Sequence, residues 1–475
     1  MGRRDLVING APTLPALLAA LCLLAGCNSD EGPAPATGED VLYVAHEGSL
    51  VSYDIATGEE RPGAVQDVAG PVDLQVLADA TLMVNLTGRD EVLCVDGETM
   101  LERARIPSSA AGGKRPVHSY LSPERSGATY WLTLNDGAKG ELGTNSARFI
   151  DATIGSATFM EPLGEIGLGA GHHKASFSAT RERVVISNIA DCDAVLTVHD
   201  YADVTDIRPL ATLTAAQAGW DGSSYARTCD PTYAAGMPPA PHGCATSKVN
   251  GKAYCNLTSS GELVEVALDA DPPTFAVIPT SGAGAGYTKA SADGRYIYSL
   301  QEEPREGSAE RPGAPCQIGQ LVVLDAEAGA VVDEVPLLYK GPGCTESLLG
   351  TDEETANPGH LRVSGDGASM FIVPAGGFGL AEARVRQVLV LDLADPAHPA
   401  QRPSIAVGAS TGHHGDALSG DGRWLFVADN VDDTVTQIDT ATLSVVRTFA
   451  TEARPLTVAT FGRTAGPSEQ SGPIP

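Results

Sequence analysis

From residue 41 onward, apolar and polar residues alternate in short runs, a period of two that marks β-strands and not helices. One pattern recurs: an apolar segment, then Ser-x-Asp-Gly, then an apolar-aromatic run. It reads LSGDGRWLFVAD at 418–429, ASADGRYIYSL at 290–300 and VSGDGASMFIV at 363–373. Asp-Gly between two such runs predicts a hairpin turn, because glycine tolerates positive φ. A third run ending in Asp follows in each case: VTQID at 435–439, LVVLD at 321–325 and VLVLD at 388–392, with LVSYD at 50–54 near the start.

First strands of this repeat start near 71, 117, 172, 241, 286, 359, 412 and 455, and second strands near 41, 81, 128, 182, 251, 294, 368 and 423. The mean repeat is about 55 residues, which suits four strands plus long loops. Val41–Val44 has no first strand before it, and Pro455–Phe461 has no strands after it. Together they make one complete sheet, the closure by which a propeller joins its ends and removes free edges. The expected fold is therefore all-β: a single propeller over 41–462 of four-stranded antiparallel blades, its ends closed by a shared blade. The count is eight, or seven if the weak repeats near 71 and 455 do not each contribute one.

Charge narrows the partners. The chain has 60 Asp plus Glu against 31 Lys plus Arg, a net charge of −29. Coulomb repulsion makes it a poor partner for nucleic acid or an anionic membrane surface. Residues 1–26 carry Arg3 and Arg4, then an apolar stretch from Leu14 to Leu24 that is short for a membrane span, and lead through Leu24-Ala25-Gly26 into Cys27. This order resembles a bacterial lipoprotein signal, which implies lipidation of Cys27. Asn28, in place of Asp, implies the outer membrane (its periplasmic side) or the cell surface. Residues 27–40 read as a flexible tether, and 463–475 as a loose tail. Membrane contact is expected only through the anchor, and the protein is expected to be a monomer.

The other cysteines fit an oxidising compartment. Without Cys22 and Cys27, seven remain: 94, 192, 229, 244, 255, 316 and 344. An odd number leaves at least one unpaired within the chain. The expected bridges are Cys316–Cys344 and one within the 229–255 group, with Cys244 and Cys255 as candidates.

Ten histidines are present, and seven stand at starts of first strands: His118, His172, His173, His242, His360, His413 and His414. Measured from the repeat serine, His173, His242 and His414 lie five residues before Ser178, Ser247 and Ser419, whereas His118 and His360 lie four before Ser122 and Ser364. Inner strands line a propeller's channel, so these five blades each aim a histidine at one mouth. Converging imidazoles suit zinc, with copper as the alternative. The expected ligands are His118, His173, His242, His360 and His414, supported by His172, His413 and Asp416. Positions four and five have opposite parity on a strand, so both classes reach the channel only through a bulge. Lys289 stands in the blade that lacks a histidine, as a partner for Asp416 or for a substrate.

The blocks SGDGRWLFVADNVDDTVTQIDTATLSVVRTF and SADGRYIYSL resemble the YVTN-type propeller repeats of bacterial surface and periplasmic proteins. GHHKASFS, GHHGDALSGDGRW and PHGCATSKVNGKAYCNLTSSGELVEV are similar to strand starts of periplasmic zinc metallochaperones of the AztD type. That resemblance implies zinc binding and handover to a solute-binding protein of a metal ABC importer. Two other functions stay open: an interaction or adhesion module without metal, and a metal-dependent lactonase-like hydrolase. With only three tryptophans, the chain lacks the Trp-rich repeats of a quinone-dependent dehydrogenase.

Overall fold

A computed structural model describes residues 41–475 except 139–140, 142, 220–240, 258–260, 282–285, 302–315, 345–355, 377–383, 412–414, 463–465 and 468–475. The signal, the tether and Cys27 lie outside the described residues, as do His413, His414 and Cys229. Every regular element described is a β-strand, and the strands form eight antiparallel sheets. Seven are built from consecutive strands, spanning 71–107, 116–167, 175–213, 241–278, 288–338, 356–410 and 416–450. We number these blades 2 to 8.

Blade 1 closes the ring. Val65–Val68, Gly48–Asp54 and Val41–His46 pair in that order, and Val41–His46 then pairs with Pro455–Gly462 from the far end of the chain. Val44 lies opposite Val458 and Tyr43 opposite Ala459. The molecule is an eight-bladed β-propeller, and the weak repeats at 71 and 455 each contribute a first strand.

The core lies between the blades. The middle strands carry near-continuous apolar runs, as in Thr81–Leu86 and Trp424–Asp429, so each sheet has two apolar faces, and each face must be covered by a neighbour. Eight apolar clusters result, one for each gap in the ring. The last gap joins Leu42 and Val44 of blade 1 to Phe426 and Ala428 of blade 8. The first joins Tyr43 and Val41 to Leu74 and Leu82 of blade 2.

The repeat serine is a structural ruler. Ser419 Oγ donates to Asp421 Oδ1 (2.6 Å) and accepts the Trp424 N–H (2.8 Å). Ser291 and Ser364 make the same pair of bonds. The Asp carboxylate in turn accepts a backbone N–H two residues on, and the glycine between takes φ of +70 to +74°. Ser, Asp and Gly are thus all required by one tight turn.

Two bridges lie wholly within the described residues. Cys244 and Cys255 face each other across a strand pair of blade 5 and are bonded, as are Cys316 and Cys344 of blade 6. Cys192 is also disulfide-bonded. Cys94 is a buried free thiol in the gap between blades 2 and 3.

Candidate functional site

The turn serine fixes which residues of each first strand face the axis. Four positions before it stand His118, Lys174, Gly243, Tyr287 and His360; Asp73 takes the equivalent place before Leu77 in blade 2. These residues, with His172 and His242, form one cluster. His118 and His172 meet edge to face with centroids 4.5 Å apart. His172 stacks on His242 (5.1 Å), His242 packs against Tyr287 (5.9 Å), and Tyr287 against His360 (4.3 Å). Blades 3 to 7 all contribute.

The two histidine classes reach the site by different means. His118 and His360 sit beside register shifts, between Pro116 and His118 and between Asn357 and His360. His242, five residues before its serine, enters through a shift between Pro241 and Gly243. Gly243 is needed there: a Cβ would come within 2.8 Å of the Thr288 backbone nitrogen.

The His172–His173 pair has no such bulge, and parity decides it. His172 shares the face of Lys174, two residues on, and enters the cluster. His173 turns away: it is fully buried, with Nδ1 on the Ser187 carbonyl (2.9 Å) and Nε2 near Asn145 Nδ2 (3.3 Å). Burial pushes its imidazole below the ordinary value. The structure therefore brings together His118, His172, His242 and His360, and places His173 outside the cluster as an inter-blade hydrogen-bonding group.

Carboxylates of neighbouring blades stand behind three of the imidazoles. His172 Nδ1 lies 2.5 Å from Asp136 Oδ2, at the end of a blade 3 strand. His360 Nδ1 is bonded to Asp416 Oδ1 of blade 8. His118 Nδ1 lies 3.5 Å from Asp73 Oδ2 of blade 2 and 3.2 Å from Lys174 Nζ. The Nε2 atoms of His118 and His172 are 2.9 Å apart. One donor order satisfies this chain: Lys174 to His118 Nδ1, His118 Nε2–H to His172 Nε2, and His172 Nδ1–H to Asp136.

The cations of the site are buried. Burial brings Lys174 down to about 7, with Asp73 and Asp136 opposing the shift. Its Nζ also reaches the Tyr287 hydroxyl (3.0 Å). Arg362 Nε binds Asp416 Oδ2 at 2.6 Å, and its guanidinium also donates to the Asp416 carbonyl at 3.1 Å. Burial alone would raise the Asp416 carboxyl, but Arg362 and His360 outweigh it and hold the group well below the usual carboxylate range. Asp416 is thus engaged by His360 and Arg362. Burial also drives Lys289 well below the lysine range, with Arg362 adding to the shift.

Lys174, Tyr287, Arg362, Asp73 and Asp136 were not among the sequence candidates. Counting four back from the repeat serine finds Lys174 and Tyr287; no local signal marks the two aspartates. Among the described residues, no three His, Cys, Asp or Glu side chains already converge on one point as a metal cage. The run GASTG at 408–412 matches the Gly-x-Ser-x-Gly pattern of hydrolase nucleophiles. Ser410, however, is buried at the end of an outer strand and donates to the Ala428 carbonyl (2.7 Å).

Fold and site together define a β-propeller with an imidazole cluster at one end of its inner strands. Among solved structures, the chain is similar to apo AztD from Citrobacter koseri, at 12% identity and a TM-score of 0.53, covering 92% of this chain and 100% of that one. It is similar to the periplasmic gluconolactonase PpgL of Pseudomonas aeruginosa, at 15% identity and 0.53, covering 89% and 99%. The dihydro-heme d1 dehydrogenase NirN, in complex with DHE, matches at 14% and 0.54, covering 91% and 78%. Likeness at these identities is likeness of fold. No family model and no curated protein matches the chain.

Proposed function

We propose that this protein binds a divalent metal ion, zinc, as cargo at the His118–His172 cluster, acting as a metallochaperone or scavenger outside the cytoplasm. The observation that carries this reading is the orientation of the rings. Metal-ligating histidines commonly turn one nitrogen to a carboxylate, which fixes the ring and strengthens the other nitrogen as a donor. His172 and His360 do so through Asp136 and Asp416. His118 has Asp73 in place to do the same once its proton moves to Nδ1.

The geometry needs little change. Zinc–nitrogen bonds of about 2.0–2.1 Å in a tetrahedral site put two ligand nitrogens about 3.3 Å apart. The Nε2 atoms of His118 and His172, at 2.9 Å, need only part slightly. Candidates for a third ligand are His242, stacked on His172, and the His413–His414 pair, which lies outside the described residues.

The lipobox supports a lipid anchor on Cys27, at the periplasmic side of the outer membrane or the cell surface. The partner this reading suggests is a solute-binding protein of a metal ABC importer.

The test is elemental analysis and zinc titration of residues 28–475, purified without a His tag, in competition with a chelating dye. One tight equivalent is expected, lost in the His118→Ala/His172→Ala double variant. A folded wild type without a tight site, or a double variant that binds equally well, would overturn the proposal.

A further inference from the structure

The segment that leads into blade 4 is tied to blade 3 by Asn145. This residue opens the third strand of blade 3, opposite Asp136 at the end of the second. Its Nδ2 donates to the backbone carbonyl of Asp136 at 2.6 Å and to that of Gly171 at 3.2 Å. A side-chain amide has two N–H hydrogens, so one nitrogen can serve both carbonyls. Asp136 and His172, the residue after Gly171, are the two members of the carboxylate–imidazole pair. One amide nitrogen thus joins the two backbones that carry them.

His173 ties the same segment a second time. Its Nδ1–H donates to the Ser187 carbonyl (2.9 Å), which leaves Nε2 as an acceptor 3.3 Å from Asn145 Nδ2. Its backbone N–H donates to Asp136 Oδ1 at 3.3 Å, while Asp136 Oδ2 faces His172. Asn145, His173 and Ser187 are all buried, so water does not compete for these bonds. Gly171 permits the close approach: its φ is +102°, and a Cβ would come within 2.7 Å of Ile189 Cγ2.

We infer that Asn145 is a positioning residue for the imidazole site. It sets the His172 ring against Asp136 and thereby aims Nε2, the nitrogen proposed to meet the metal. The doubled histidine then has two roles: His172 carries the ligand nitrogen, and His173 pegs the segment that presents it. The consequence for metal affinity rests on the zinc reading, because a ligand already held in place has less freedom to lose on binding. The ring placement itself needs no metal.

The test has two readouts. The first uses the metal-free chain with isotope-labelled histidine at about pH 8, where imidazole is neutral. Long-range proton–nitrogen correlation spectra report the tautomer, and the His172 signals are identified by their loss in His172→Gln. The wild type should carry its His172 proton on Nδ1 alone. Asn145→Ala, which loosens the segment and lets the ring leave Asp136, should give a mixture of tautomers. The second readout is zinc competition with a chelating dye, in which Asn145→Ala should bind about tenfold more weakly. Asn250→Ala cuts a similar tie, to Tyr254 and the Ala326 carbonyl, away from the site. It should lower the melting temperature and leave both readouts unchanged. Asn145→Ser, too short to reach both carbonyls, replaces the alanine variant if that one does not fold. Mixed His172 tautomers in the wild type overturn the inference, as does a folded Asn145 variant that keeps the single tautomer. A wild type that binds no zinc overturns the metal reading instead, and the tautomer readout still decides whether Asn145 places the ring.

Discussion

Asp136→Asn changes the proposed metal site without touching a proposed ligand. Its carboxylate lies 2.5 Å from His172 Nδ1, and its side chain is 7% exposed. Asparagine has the same shape and can still accept the Nδ1 proton, so the tautomer and ring position survive; only the charge is lost. A buried hydrogen bond to a charged group contributes about 1.5–3 kcal/mol, against about 0.5–1.5 kcal/mol for a neutral pair. The difference, about 1–1.5 kcal/mol, corresponds to roughly tenfold in affinity. Zinc affinity should therefore fall about tenfold in Asp136→Asn, within the range expected of carboxylates behind metal-bound histidines. Asp136→Ala, which also frees the ring to rotate, should lose about a hundredfold. The assay is competition with a chelating dye at pH 7.5, repeated at lower pH, where affinity should weaken because protons compete with the metal for the imidazole nitrogens. If both variants, folded as judged by circular dichroism, bind zinc like the wild type, His172 is not a ligand and the argument from ring orientation fails.

Three further outcomes are expected. Burial raises the Asp429 carboxyl to about 7 even though Thr436 and Thr434 donate to it, so the native state holds a proton that the unfolded chain releases above pH 4. Stability from this group is full below the unfolded value and declines as pH rises towards 7, by about 2 kcal/mol between pH 5 and 7. Asp429→Asn should remove that part of the decline; identical pH dependence of the melting temperature in both proteins would refute it. Deleting 455–475 takes the innermost strand from blade 1 and opens the gap filled by Phe426 and Val458, so the melting temperature should drop by tens of degrees or soluble protein be lost; a melt within a few degrees of the wild type would mean that the ring does not need its closure. Cys27→Ala should abolish incorporation of labelled palmitate in cells, and persistent labelling would count against the lipobox reading.

Much of this architecture is local and was therefore legible in the chain. The Ser-x-Asp-Gly turn closes on itself within six residues, and period-two alternation marks each strand, so the blades and their boundaries follow from neighbouring residues. Closure was legible because two incomplete repeats, around 41 and 455, complement one another. The site was legible only in part. That histidines gather at the starts of inner strands is a sequence property, but which member of a pair faces the axis depends on bulges. His242 enters the cluster because the strand slips between Pro241 and Gly243; His173 stays out because its strand keeps the parity that Lys174 shares with His172. Asp136 lies 36 residues from His172, and Asp416 lies 56 from His360. No spacing rule links such residues, because blade packing brings them together after each blade has formed. The turns and strands were thus set by short-range steric and hydrogen-bonding demands. The partners of each imidazole, the burial that lowers Lys174 and Lys289, and the Arg362 and His360 charges that hold Asp416 low were decided only when eight sheets closed around one axis.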